Sequence, residues 1–158
     1  MTFMYELERP EFCSVGRAME ILGERWTMLI MREAFYGVRR FSDMQRNLGI
    51  ARNILSTRLQ SLVRAGILER RLYHEEPERF EYRLTQAGRD LYPAVIAIMK
   101  WGDEHLAGDV GPPVVLRHSC GELTDPVLVC GHCREPLHPH DVTPEPGPGA
   151  KLPAAAPA

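Results

Sequence analysis

Four cysteines and six histidines carry the most reactive side chains of this 158-residue chain, and most of them crowd into one late stretch. His118-Ser119-Cys120-Gly121 comes first, and a gap of nine residues separates Cys120 from Cys130-Gly131-His132-Cys133. A Cys-x-x-Cys on a tight turn points two thiolates at one tetrahedral ion, and a pair from a neighbouring hairpin completes the shell. His118, Cys120, Cys130 and Cys133 are therefore expected to hold a structural zinc ion as Cys3His. His132 lies between two ligands and is expected to point outward, while His138 or His140 can stand in for His118. Two other chemistries stay open: a dithiol redox switch of Cys130 and Cys133, and plain unligated thiols. Catalytic zinc is not expected, because four ligands leave no open position and no carboxylate base stands beside them.

A disulfide framework is the weaker alternative for these cysteines. Residues Met1 to Pro10 carry Glu6, Glu8 and Arg9 and have no apolar run, so they do not read as a secretory signal. No stretch of about 18 apolar residues exists, so no spanning helix and no membrane role are expected. The expected location is the cytoplasm.

The elements that must position these groups follow from periodicity. Ser14 is expected to cap a helix running to Leu22, with Gly23 at its end. A second helix starts near Arg25, with Trp26, Leu29, Ile30 and Ala34 on one buried face and Gly37 as its stop. Ser42 is expected to cap a short helix from Met44 to Leu48, ended by Gly49. Ala51 to Ala65 is the most informative helix. Leu55, Leu59 and Leu62 make a narrow apolar stripe, while Asn53, Thr57, Gln60 and Arg64 lie on the opposite side. That far face is wholly polar and holds no acidic residue. Ile67 to Tyr73 and Arg79 to Leu84 alternate apolar and charged residues as two strands, joined by the polar turn His74 to Glu78. Helix, short helix, long helix and hairpin in this order define a winged helix-turn-helix. The fold class is mainly α with a small β-wing (α+β). Thr85 is expected to cap a further helix reaching Leu106, kinked or truly begun at Pro93. Its stripe of Leu91, Val95, Ile98 and Met99, widened by Tyr92, Ile96 and Trp101, is broad enough to face a second subunit.

The organisation expected is an N-terminal arm over 1–12, the winged domain over 13–108, a Cys/His-rich, zinc-ribbon-like extension over 109–141 and a disordered Pro/Ala-rich tail over 142–158.

The formal charge is −2, from 19 basic and 21 acidic residues, which by itself argues against a nucleic-acid partner. The total is an average over unlike parts. Between Gly37 and Arg71 stand eight Arg against Asp43 and Glu69, a net of +6, so the remainder is −8. A basic block over the helix-turn-helix is the footprint expected for double-stranded DNA. Asn53, Ser56, Thr57 and Gln60 can hydrogen-bond base edges in the major groove. Arg39, Arg40 and Arg52 suit phosphates, Arg64 shares the polar face, and Arg79 sits on the wing, in reach of the minor groove or the flanking backbone. Arg58, at the edge of the stripe, suits either the groove or an intradomain ion pair. No Gly-rich phosphate loop, Gly-x-Ser-x-Gly or paired carboxylates with a His are present, so an enzyme is not expected.

The stretches CSVGRAMEILGERWTMLIMREAFYG, RRFSDMQRNLGIARNILSTRLQSLVRAGILERR and PERFEYRLTQAGRDL, with the late Trp101, resemble the HxlR-type branch of the MarR-like winged-helix regulators. The resemblance spans Cys13 to Leu106. It implies a homodimer that binds a roughly palindromic operator and regulates nearby genes, with a dimer interface built from the first helix and the long C-terminal helix. It also implies an effector, either a small molecule or an oxidant. Some such proteins sense oxidants or electrophiles through a Cys just before the first helix, and Cys13 stands there, although Ser14 replaces a common Pro. Orphan amides at a helix start favour a thiolate. The late Cys/His cluster lies outside the resemblance.

Overall fold

A computed structural model describes residues 13–149. Two compact units divide it, one ending at Val95 and one beginning at Ile96, so the division falls inside the last long helix, not after it. The arm expected over 1–12 and the tail from 150 lie outside the described residues, and 142–149 form no helix or strand beyond turns.

The first unit is built from α1 (Ser14–Leu22), α2 (Arg25–Phe35), α3 (Phe41–Leu48), α4 (Arg52–Arg64), β1 (Leu68–His74), β2 (Arg79–Leu84) and α5 (Gln86–Asp90). The stripe read from the sequence is the inner face of α4: Leu55, Leu59 and Leu62 are all buried. They meet Ile30 and Met31 of α2, Met44 of α3, and Ile50, Ile67 and Leu68. Each such side chain taken out of water contributes about 1.5–3 kcal/mol, so this cluster sets the angle of α4 against its neighbours.

Two local expectations need correction. In α2 the buried positions are Thr27, Ile30, Met31 and Glu33, while Trp26 and Ala34 only flank the core and Leu29 is half-buried. Apolar side chains surround most of this helix, so composition did not fix its inward side; packing against α3 and α4 did. The second correction concerns α3, which begins at Phe41 after an extended Arg40, so Ser42 is not its cap. The cause is a third strand-like piece. Arg40 pairs with Glu81, and the Tyr82 N–H donates to the Arg39 carbonyl at 2.8 Å. Backbone pairing with β2 thus runs up to the first residue of α3.

The turn between α3 and α4 needs a left-handed residue, and Gly49 supplies it at φ 61°. The wing is an antiparallel pair in which Leu68 faces Leu84, Arg70 faces Tyr82 and Leu72 faces Phe80. Thr85 is the cap expected, its hydroxyl accepting the Gly88 N–H at 3.1 Å, but the helix it starts stops at Leu91. A new helix, α6 (Tyr92–Leu106), begins there, with Pro93 in its first turn, where a missing N–H costs nothing.

In the second unit, nothing after Ile96 is buried among the described residues. Two small hairpins follow α6. In one, His118 N–H donates to the Glu122 carbonyl at 2.9 Å and Thr124 N–H to that of Leu116 at 2.7 Å. In the other, Cys130 N–H donates to Glu135 at 2.9 Å and Leu137 N–H to Leu128 at 3.0 Å. Lys100 of α6 holds the link between them, 2.5 Å from an Asp125 carboxylate oxygen, which together with Glu104 keeps the Lys100 ammonium protonated to a higher pH than usual.

Candidate nucleic-acid interface

The outer face of α4 is polar as read: Asn53, Thr57, Gln60 and Arg64 are exposed, and Ser56 is half-exposed. The Thr57 hydroxyl donates back to the Asn53 carbonyl at 2.9 Å, and Gln60 lies 3.5 Å from the Ser56 hydroxyl. These side chains are lightly held, so they can turn to a base edge without breaking strong bonds. Neither α3 nor α4 has a side-chain cap at its start, which leaves amides free to meet a phosphate oxygen.

Between α4 and the wing lies an open cleft of about 790 Å³. It gathers Arg40, Arg52, Ser56, Gln60, Arg64 and Arg79 from the sequence reading and adds Ser42, Arg70 and Tyr73. Asn53 and Thr57 stay on the open face of α4 outside it. Arg39 borders a neighbouring hollow with Arg46 and Asp43. Arg70 and Tyr73 were missed because alternation along a strand carries no signal for where the strand leaves the core. Arg70 shares a face with Leu68, two residues on, where β1 has run past the core onto the cleft.

The eight arginines of the basic window divide into two groups. Arg46 pairs with Asp43 at 2.9 Å, Arg58 with Glu24 at 3.3 Å and Arg71 with Glu69 at 3.0 Å. The choice left open for Arg58 is thereby settled as an intradomain pair. Arg39, Arg40, Arg52, Arg64 and Arg70 have no carboxylate partner among the described residues. Three of these rest on aromatic rings: Arg70 at 3.4 Å from the Phe80 centroid, Arg40 at 4.9 Å from Tyr73 and Arg52 at 5.3 Å from Phe41. A ring restrains a guanidinium without cancelling its charge, so these groups are positioned and still available to a phosphate.

The late cluster is gathered only in half. Cys130 and Cys133 share one turn, and the N–H of Cys133, then that of His132, then the Cys133 thiol, point at the Cys130 sulfur and hold its thiol below the usual range. His118 and Cys120 sit on the other hairpin, where the Cys120 N–H donates to the His118 Nδ1 at 3.2 Å. Among the described residues no three His, Cys, Asp or Glu side chains converge on a point that would hold a metal ion. The donor set suits zinc in kind, with Cys130 and Cys133 on one hairpin and His118 and Cys120 on the other. Cys13 is the N-cap residue of α1 and is half-exposed.

A scaffolded polar helix beside a hairpin wing that sets arginines on the shared cleft defines the DNA-binding winged helix-turn-helix class. The HxlR-like helix-turn-helix family matches residues 21–109, and the chain belongs to that family of transcriptional regulators. An uncharacterized HTH-type transcriptional regulator of Mycobacterium tuberculosis is 58% identical over 144 residues, covering 90% of this chain and 91% of that protein. The crystal structure of PA1607, a candidate transcription factor, is 35% identical with a TM-score of 0.76 and covers 84% of this chain and 94% of that one. The redox regulator HypR in its oxidized form is 31% identical with a TM-score of 0.55, covering 59% of this chain and 97% of that one. Among the described residues no helix is long and apolar enough to cross a membrane.

Proposed function

We propose that the chain acts in the cytoplasm as a homodimer on a roughly palindromic operator, inserting α4 into the major groove and laying the wing along the flanking duplex. It acts by binding, without chemistry of its own. Asn53, Ser56, Thr57 and Gln60 read base edges. Arg39, Arg40, Arg52, Arg64 and Arg79 fix the register on phosphates. The observation that carries this reading is the cleft, where Arg52 and Arg64 of α4 and Arg70 and Arg79 of the wing, against the single carboxylate of Glu78, surround Ser56 and Gln60. Dimerisation is supported by apolar side chains left open on α1 (Val15, 67% exposed) and on α6 (Ile98, 58%; Trp101, 56%). The likeness to HypR supports an oxidant as the input, with Cys13 as its target; a small-molecule effector is the alternative.

A mobility-shift titration with the intergenic DNA upstream of the gene tests the reading. Binding is expected to weaken about a thousandfold or more between about 50 and 200 mM salt, because each phosphate contact releases condensed counterions. A folded dimer that shifts no DNA at low salt overturns it.

A further inference from the structure

The turn from Cys130 to Cys133 lies outside the DNA-facing unit, and the regulator reading makes no use of it. Its backbone is closed by the Arg134 N–H, which donates to the Cys130 carbonyl at 2.9 Å. The base is clamped by the Cys130–Glu135 and Leu137–Leu128 hydrogen bonds of the second hairpin. The Arg134–Cys130 bond closes a five-residue turn with Cys130 at its start and Cys133 one residue inside its end, a fold-back of the kind a disulfide needs, with Cα atoms about 4.4–6.8 Å apart. Arg134, just past Cys133, sits at φ 67°, a conformation that a non-glycine residue adopts only when its surroundings impose it. Cys133 is exposed and Cys130 half-exposed, so both are open to a small reagent. On the other hairpin the Cys120 backbone N–H donates to the His118 ring, and the Cys120 thiol is exposed.

We propose that Cys130 and Cys133 form a reversible dithiol–disulfide pair, a modification site in the C-terminal unit whose oxidant is a hydroperoxide. The Cys130 sulfur attacks the terminal peroxide oxygen. The O–O bond breaks, and the alcohol or water leaves with the proton, giving a sulfenic acid on Cys130. The Cys133 sulfur then attacks that sulfur, the S–O bond breaks, and water leaves with the Cys133 proton. Two thiols and one hydroperoxide become one disulfide, one alcohol (or water) and one water. Two electrons pass from the sulfurs to the peroxide. A dithiol reductant returns two electrons and two protons. This site is independent of Cys13 and of DNA binding.

The test uses the reduced full-length protein and one equivalent of hydrogen peroxide. The intact mass is expected to fall by about 2 Da, with the cross-link mapped to the peptide holding Cys130 and Cys133 and reversed by dithiothreitol. Cys130→Ser and Cys133→Ser are each expected to lose that change, with Cys130→Ala and Cys133→Ala as second variants and circular dichroism reporting the fold. Cys13→Ser and Cys120→Ser are expected to keep it, which separates this site from the oxidant input assigned to Cys13. A cross-link from Cys130 or Cys133 to Cys120 or to another chain overturns the proposal. So does a zinc ion that copurifies at about one per chain and shields both thiols from alkylation until it is chelated.

Discussion

Glu33 of α2 accepts a hydrogen bond from the Asn47 side chain of α3 at 2.8 Å, across 14 positions of sequence. Its other carboxylate oxygen takes the Arg32 guanidinium at 2.8 Å, and the residue is 5% exposed. A nearly buried carboxylate, satisfied at both oxygens, ties the helix that carries the core to the helix that precedes the recognition helix. Removing one partner strands the other, and that asymmetry costs more than the bond itself contributes.

Asn47→Ala is therefore expected to lower stability by about 1–3 kcal/mol in urea unfolding, because it strands a nearly buried carboxylate oxygen, with Glu33→Ala costing less on this contact because the exposed Asn47 amide is regained by water. The double variant is expected to cost about 0.5 kcal/mol or more below the sum of the singles. Strict additivity would show that the contact carries no coupling.

Gln60→Ala is expected to lose about 1–3 kcal/mol of DNA affinity at one base pair and to relax the choice of base there. Asn53→Ala is expected to do the same at another position. Binding measured on a set of single-base operator variants checks this. An equal loss on every variant would place the residue on the backbone instead.

Arg70 lies in the cleft on the face of Phe80, with its charge free. Arg70→Ala is expected to weaken binding alike on all sequences and to reduce the slope of log affinity against log salt by about 1. An unchanged slope would remove Arg70 from the phosphate contacts. Arg58→Ala, which breaks a pair with Glu24, is expected to leave the slope where it is.

Gly88 packs under the start of the wing. A Cβ there would stand 2.2 Å from the Ile67 carbonyl oxygen, and backbone cannot swing aside as a side chain does. Gly88→Ala is expected to destabilise by about 1–3 kcal/mol in thermal unfolding. Gly102, in α6 with nothing within 4 Å of its Cβ position, is the contrast: Gly102→Ala is expected to stabilise by about 0.5–1 kcal/mol. Equal effects would mean that the close approach at Gly88 relaxes freely.

Cys13→Ser is expected to abolish release from DNA by a mild oxidant while leaving the affinity of the reduced protein unchanged; Cys120→Ser is expected to keep release. A mobility-shift assay with and without oxidant reads both. Release that survives in Cys13→Ser would move the sensor elsewhere.

The order of elements was legible in the sequence because helices and strands are specified by local period. Leu55, Leu59 and Leu62 recur on one side of a helix whatever surrounds them, and the absence of acids opposite them is a property of the same thirteen residues. The basic window was legible for the same reason, as a count along the chain. What the count left open was which charges survive folding. Glu24 neutralises Arg58 from 34 positions away, while Tyr73 and Phe80 come from the wing to seat Arg40 and Arg70 with their charge intact. The inward side of α2, the start of α3 at the edge of β2 and the tie between Glu33 and Asn47 are likewise long-range events with no local signature. The cysteine cluster makes the same division. Spacing alone joins Cys130 to Cys133, since four residues fit within one turn. Whether His118 and Cys120 meet them depends on how two separate hairpins are placed, and only packing across distant segments decides that.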